Sequence, residues 1–253
     1  IVAENGSVKV HLVGGKRSLP SARINDVLAA ARSVGTATVV KRYGDGVGRY
    51  ALASQIAATV RETYVTRNGT EPPVVLVANG ADAKKFFDAL ALSPIAASKG
   101  FPILLTRADV LPSETAASLK AMACGTTAVA GGKYTVSASV LAEIKSCTGG
   151  TVERWSGRTR YDTAVAVADK AVAEGWLARN KVMITAKLPD ALSGGSMLGR
   201  FGAVLLLTEP STLSRPTDLW LLDEHDYVEE CYLFGGANSI KSGAERRVRH
   251  CLR

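Results

Sequence analysis

The sequence predicts an α/β protein made of small layered units in tandem, with parallel sheets covered by helices. Three observations lead there. A short apolar run closes on a Gly-Gly pair three times, in "VHLVGG", "TAVAGG" and "CYLFGG". A glycine-containing turn with Arg-Tyr leads into an alanine-rich helical stretch twice, from Arg42 and from Arg154. An Asp-Ala-Leu segment runs into an apolar strand twice, and Asp88 to Thr106 spans the same eighteen residues as Asp190 to Thr208. Three ordered sets of matching columns mark an internal repeat.

The elements follow in chain order. A strand over 8–13 ends at Gly14-Gly15, and Ser18-Leu19 then introduces a helix over 21–33. A strand over 37–41 leads to the turn at Arg42. The helix over 50–64 places Ala53, Ile56, Ala57 and Val60 on one face, a spacing that packs closely on a sheet. The stretch 66–73, "TRNGTEPP", reads as a loop, and 74–78 as a strand. Helix 86–98 opens on Asp88, whose charge suits the positive end of a helix. Strand 102–106 and helix 113–122 follow. Ile103, Leu104 and Leu105 read as a central parallel strand. Strand 127–130 ends at Gly131-Gly132, with helix 138–145 after it.

The second pass repeats this order. Helix 162–173 carries Ala164, Val167, Ala168 and Ala171 on the matching face. "LARN", 177–180, reads as the shorter counterpart of the earlier loop. Strand 182–185, helix 190–199 and strand 204–208 come next. Pro210 and Pro216 interrupt the pattern over 209–230, leaving room for a short helix through Leu219 and Leu222. Strand 231–234 ends at Gly235-Gly236, and helix 241–250 closes the chain. The boundaries that result are a partial first unit over 1–38 and complete units over 39–150 and 151–253.

The four cysteines fit the same frame. Cys147 and Cys251 each lie sixteen residues after the first glycine of their pair, while Cys124 and Cys231 stand at the beginning of the strand before it. The expectation is one cross-link per unit, Cys124–Cys147 and Cys231–Cys251, and an oxidising compartment. The spacing contains no CxxC, and the three histidines are scattered, so no zinc site is expected.

Composition narrows the function. The 253 residues are 47 % hydrophobic, with no apolar run long enough to cross a membrane. The opening "IVAENGSVKV" has no basic and apolar leader pattern, so any signal peptide is removed or not included. A formal charge of +8 favours anionic partners. Only 6 % aromatics and no dense Arg/Lys cluster argue against nucleic acid. The glycines from Gly44 to Gly48 do not complete a dinucleotide fingerprint, and the second copy keeps one glycine, so no cofactor is expected. Asp88 and Asp190 have no recurring second acid or histidine beside them, which argues against catalysis.

Arg49 and Arg160 occupy matched positions before a helix. They fit either an internal clasp to Asp88 or Asp190, or a ligand contact at a helix N-terminus. Tyr50 and Tyr161 read as core aromatics with the hydroxyl near a partner. The glycine pairs Gly131-Gly132 and Gly235-Gly236 serve close backbone approach or positive φ. Ligands of open parallel sheets gather at the carboxyl ends of strands. Thr106 and Thr208, with Arg107, Lys133 and Lys241 nearby, are placed to hold sugars or phosphates there.

The motif set resembles the bacterial cell wall binding repeat 2 family. Arg154, Gly157, Arg160, Tyr161, Thr163 and Ala164 fill its R-x-x-G-x-x-R-Y-x-T-A pattern. Arg42, Gly44, Arg49, Tyr50 and Ala53 fill it in the first copy, with Leu52 in place of threonine. Gly80 and Asp88-Ala89-Leu90 match its second motif, and Pro102-Ile103-Leu104-Leu105-Thr106 its third, where the later copy has Val204 to Thr208. The resemblance implies Rossmann-like units in a pseudo-threefold arrangement. It also implies non-covalent binding of an anionic secondary cell wall glycopolymer through the Pro-Ile-Leu-Leu stretch, and a secreted protein at a Gram-positive surface. An upstream repeat or self-association would then complete the partial first unit. A surface-layer or adhesion role, or attachment to a wall-modifying enzyme whose catalytic domain lies elsewhere, are the rival expectations. Pro102 is what separates the two copies of the third motif. Pro102→Val is therefore expected to weaken polymer binding, and Val204→Pro to have a different effect. A wall-binding assay on both variants measures this, and equal effects would contradict the asymmetry.

Overall fold

The computed structural model describes residues 7–33, 35–81, 86–122 and 124–253. Residues 1–6 and Val34 of the expected partial unit lie outside the described residues. The chain alternates strands and helices throughout: β1 (Ser7–Val13), α1 (Ser21–Arg32), β2 (Thr36–Tyr43), α2 (Arg49–Asn68), β3 (Val74–Asn79), α3 (Phe86–Lys99), β4 (Ile103–Thr106), α4 (Ser113–Ala121) and β5 (Thr126–Ala130). It continues with α5 (Ala138–Thr148), β6 (Thr151–Trp155), α6 (Arg160–Ala173), β7 (Ala178–Thr185), α7 (Leu188–Phe201), β8 (Ala203–Leu207), α8 (Arg215–Glu224), β9 (Glu230–Phe234) and α9 (Ser242–Cys251). All pairing is parallel, in three sheets of order β1-β2, β4-β3-β5-β6 and β8-β7-β9. The expected tandem α/β architecture is the one observed.

The sheets do not respect the repeat as a simple block. β6 precedes the Arg-Tyr turn of the later copy, yet it pairs with β5, Thr126 facing Thr151 and Ala130 facing Trp155. β2 pairs with β1 in the same way. The first strand of each copy thus completes the sheet of the copy before it. The helix after that strand returns to its own copy: α2 packs on β4 and α4, and α6 on β8 and α8.

β6 is the one strand that the sequence pattern does not reveal. "TVERW" has two adjacent charged residues, and an edge strand needs no continuous apolar run. Two further differences have similar causes. Residues 177–180 do not form a loop throughout, because β7 already begins at Ala178, paired with Ala203, and an irregularity before Val182 accommodates Arg179 and Asn180. β4 is an edge strand rather than a central one. Helices α2 and α4 cover it, so it reads as interior.

One core cluster runs across the junction between the second and third units. It contains Leu76, Leu92, Ile95 and Ala128 together with Ala164, Val167, Ile184 and Leu206. An aromatic chain reinforces it, Tyr64 to Phe101 at 6.1 Å, Phe101 to Trp176 at 5.4 Å and Trp176 to Trp155 at 5.9 Å. Helices α3 and α7 approach closely at Gly199, where an added Cβ would lie 2.2 Å from the Cβ of Ala97.

The expected cross-links are not formed, and all four cysteines are free thiols. Each pair does share a core. Cys124 is buried in the second unit's cluster with Cys147 packed against it, and Cys251 is buried in the junction cluster with Cys231 against it. Each sulfur has its own place: Cys124 Sγ lies 4.0 Å from the Thr127 hydroxyl, and Cys251 Sγ donates to Asp218 at 3.1 Å. Matched positions reflect packing of a strand against its helix. Burial pushes the Cys231 thiol up to about 12. Burial, then the Asp218 carboxylate, raises Cys251 to about 11. Both are neutral at pH 8, and the thiolate is the reactive form. Slow alkylation of Cys231 and Cys251 in the native protein is expected, with four reactive thiols after denaturation without reductant. Recovery of two or none in a thiol titration would restore the cross-links.

Candidate functional site

The carboxyl ends of the strands carry the chemistry. The turn after β5 begins at Gly131, whose φ is +114°, a region closed to most side chains. A Cβ there would lie 2.6 Å from Asp88 Oδ2 and 2.9 Å from a Thr135 carbon. Gly14 and Gly235 take the same conformation, both with φ +126°, and Gly235 has Asp190 and Ser239 as neighbours. Of the second glycines, Gly15 serves close approach, whereas Gly132 and Gly236 have room for a side-chain carbon. A Cβ on Gly15 would lie 2.8 Å from the Gly44 carbonyl oxygen. In all three copies the backbone then closes alike: Ser18, Thr135 and Ser239 donate to the carbonyls of Gly15, Gly132 and Gly236.

An arginine from the next copy holds this turn. Arg42 Nη1 donates to Gly14 O at 2.9 Å, and Nη2 to Leu19 O at 3.1 Å. Arg154 repeats the pair, donating to Gly131 O and, at 2.7 Å, to Val136 O. The fork of a guanidinium matches two convergent carbonyls where an ammonium would meet one. Burial lowers the Arg154 guanidinium from its ordinary value. The sequence shows both arginines in the repeat, but not this role.

Between the turn and the next Arg-Tyr segment lies a crevice of about 550 Å3, lined by Asp88, Lys133, Tyr134, Arg158, Thr159 and Arg160 among others. Lys133, Arg158 and Arg160 are exposed. Helix α6 begins at this crevice with a full capping box: Thr159 Oγ1 accepts from the Tyr161 and Asp162 N–H groups, and Asp162 accepts from the Thr159 N–H. The helix start therefore spends donors on its own side chains. Cationic side chains are left as the groups able to hold an anion. A counterpart crevice of about 560 Å3 lies one unit earlier, between Gly15–Ser18 and Gly44–Val47. Lys16 and Arg17 line it, with Lys16 3.6 Å from Asp45.

The remaining expected residues divide into exposed and buried groups. Pro102, Leu104, Thr106 and Thr208 are buried, and Ile103 and Leu105 are half-buried. Thr106 donates within its own turn, to Arg107 O and Val110 O, and Thr208 to Thr212 O. These residues build the strand ends. Arg107 is exposed and lies over the Tyr50 ring at 5.3 Å. Lys241 is exposed at the N-cap of α9, and its N–H donates to Pro210 O at 2.7 Å. Arg49 donates to Gly80 O at 2.6 Å and lies over Phe86. Arg160 stacks on Phe87 at 4.6 Å and donates to the Tyr161 hydroxyl, which donates to Glu209 at 2.5 Å. Burial, then the Glu209 bond, raises the Tyr161 phenol. Arg158 and Tyr134 are crevice residues that sequence reasoning missed. Their only signal was their place in the two turns.

No cluster of three or more His, Cys, Asp or Glu able to hold a metal lies among the described residues. Tandem α/β units with basic crevices at their junctions are the arrangement that the described residues form. The chain belongs to the cell wall binding domain 2 family, whose model matches residues 44–141 and 154–245. By family it is a cell wall binding domain, present in two copies over the described residues. Two curated relatives from Bacillus subtilis (strain 168) are similar to it. N-acetylmuramoyl-L-alanine amidase LytC is 30 % identical over 203 residues, covering 80 % of this chain and 37 % of the relative. The amidase enhancer is 27 % identical over 249 residues, covering 98 % and 30 %. The chain thus spans about a third of the length of either relative. Its fold is similar to those of Cwp8 from Clostridium difficile, with TM-score 0.75 at 20 % identity over 100 % of this chain and 39 % of that one, and Cwp6, with TM-score 0.70 at 24 % identity over 81 % and 31 %.

Arg154→Met is expected to lower stability by about 2–4 kcal/mol, since two carbonyls lose a charged donor in a half-buried place. Arg154→Lys should recover less than half of that. Denaturant melts of both variants measure it.

Proposed function

We propose that the chain anchors a protein to a Gram-positive wall by binding an anionic secondary polymer in the junction crevices. The observation that carries this is the recurrence of a basic crevice at two successive junctions, Lys16 and Arg17 in one, Lys133, Arg158 and Arg160 in the other. A repeating polymer offers charges at intervals, so two weak sites on one rigid frame reinforce each other. The formal charge of +8 adds long-range attraction. Arg107 and Lys241, exposed on the same strand-end surface, extend the contact. The Pro-Ile-Leu-Leu strand contributes by fixing the loop that carries Arg107. An effector joined to such a module would work on the wall to which it is held, and one relative is named an amidase.

Sedimentation with purified walls tests the proposal. Binding to intact walls should exceed binding to walls stripped of secondary polymer, and should fall with added salt. Equal binding to both preparations would contradict it. The double variant Lys133→Glu, Arg158→Glu should weaken binding by about tenfold or more without altering the thermal midpoint, because both side chains are exposed.

A further inference from the structure

The loops that follow β4 and β8 are built alike, yet one position in them reverses its charge. Thr106 donates to Val110 O, and Thr208 to Thr212 O. Thr115 and Thr217 donate to Leu105 O and Leu207 O, each at 2.6 Å. The constant offset pairs Arg107 with Glu209. Both are exposed, and both meet the motif tyrosine of their own copy. Arg107 lies over the Tyr50 ring at 5.3 Å, whereas Glu209 accepts from the Tyr161 hydroxyl at 2.5 Å. Tyr161 accepts from Arg160 at 2.8 Å in turn, so the Glu209 carboxylate is held in place.

Glu209 lines an open pocket of about 580 Å3, with Arg158, Asp162, Leu213, Arg215 and Leu219 among others. Two guanidiniums and two carboxylates share its wall, so neither sign of ligand charge is favoured. Groups that both donate and accept hydrogen bonds are the ones that fit, as hydroxyls and amides do. Leu213, Pro216 and Leu219 add apolar surface, and Leu219 is 47 % exposed. A sugar ring matches that mixture, with its C–H face on the leucines and its hydroxyl edge on the charged groups. Arg158 and Thr159 also line the crevice of Lys133 and Arg160, so the two cavities adjoin across the α6 cap.

We infer that the charge-balanced pocket is a subsite for an uncharged sugar, and that the polymer is a glycan alternating acidic and neutral sugars rather than a polyol chain with a phosphate at every link. The inference rests on polymer binding in the basic crevice. An acidic sugar sits at Lys133 and Arg158, and its neutral neighbour crosses the Thr159 cap into the pocket. Glu209 is the selecting residue. Its carboxylate accepts from sugar hydroxyls and repels a phosphate placed at the same point. A phosphate-linked polyol brings charge into both cavities and has no ring for Leu213 and Leu219.

NMR titrations of the whole chain test this with two probes of equal charge. One is a hyaluronan hexasaccharide, which alternates glucuronic acid and N-acetylglucosamine. The other is a glycerol phosphate oligomer with three phosphodiester charges. The hexasaccharide should bind tighter by about fivefold or more, with shifts at the amides of Lys133, Glu209 and Leu219. Glu209→Arg, the residue type found at the matched position, should bring the ratio of the two affinities to about one or below. Taking the ratio cancels the general attraction that added positive charge supplies. Glu209→Gln keeps an acceptor and should give an intermediate ratio. Failure of the hexasaccharide to bind, equal affinity of the parent for both probes, or a preference that survives both substitutions overturns the inference. So do shifts at Lys133 without shifts at Glu209 and Leu219. Equal sedimentation with intact and stripped walls would instead overturn polymer binding itself.

Discussion

The clamp of one guanidinium on two carbonyls organises this molecule. Arg154 belongs to the strand that opens one copy and grips the turn that closes the sheet of the copy before. Its consequences spread in both directions. Behind it, the Gly131 turn is held in a conformation that only glycine adopts comfortably, so the carbonyls converge. Ahead of it, the chain leaves β6 through Gly157, where a Cβ would collide with Asp162, and enters α6 through the Thr159 cap. The crevice exists because these two turns are fixed face to face. Arg42 does the same at the preceding junction.

Sharing of strands explains why units with small sheets form one body. A two-stranded sheet is marginal alone. Here β6 extends the second sheet while α6, the next element, packs on the third and on α3 of the second unit. The shared apolar cluster and the aromatic chain from Tyr64 to Trp155 then run through the junction without a break between units. Under the proposed function a fixed junction would matter, because charges presented to a polymer contribute together only when their spacing is held.

Much of the fold was legible in the sequence because buried parallel strands are written as short apolar runs and the repeat supplies each prediction twice. What was not legible has a common cause. β6 carries Glu153 and Arg154, whose partners, Lys170 and the glycine-turn carbonyls, lie on other elements. β4 looked central since helices hide its edge. The cysteine columns matched, and each pair does share a core, but sharing a core does not fix the geometry of a bond between sulfurs. In the candidate site, Arg160 was visible as a motif residue and Lys133 as a base beside a strand tip. Arg158 and Tyr134 were not, because exposed residues in turns have no periodicity.

By itself the sequence determined the alternation of strands and helices, the tandem repeat, the basic charge and the glycines that shape the turns, since each depends on local pattern or composition. Only the tertiary structure decided which sheet each opening strand joins, which of the strand-end residues face outward, and that Thr106 and Thr208 spend their hydroxyls inside their own turns. Those outcomes depend on contacts between residues far apart in the chain. A hydroxyl or a guanidinium carries no local mark of whether a carbonyl or a ligand will take its hydrogen bond.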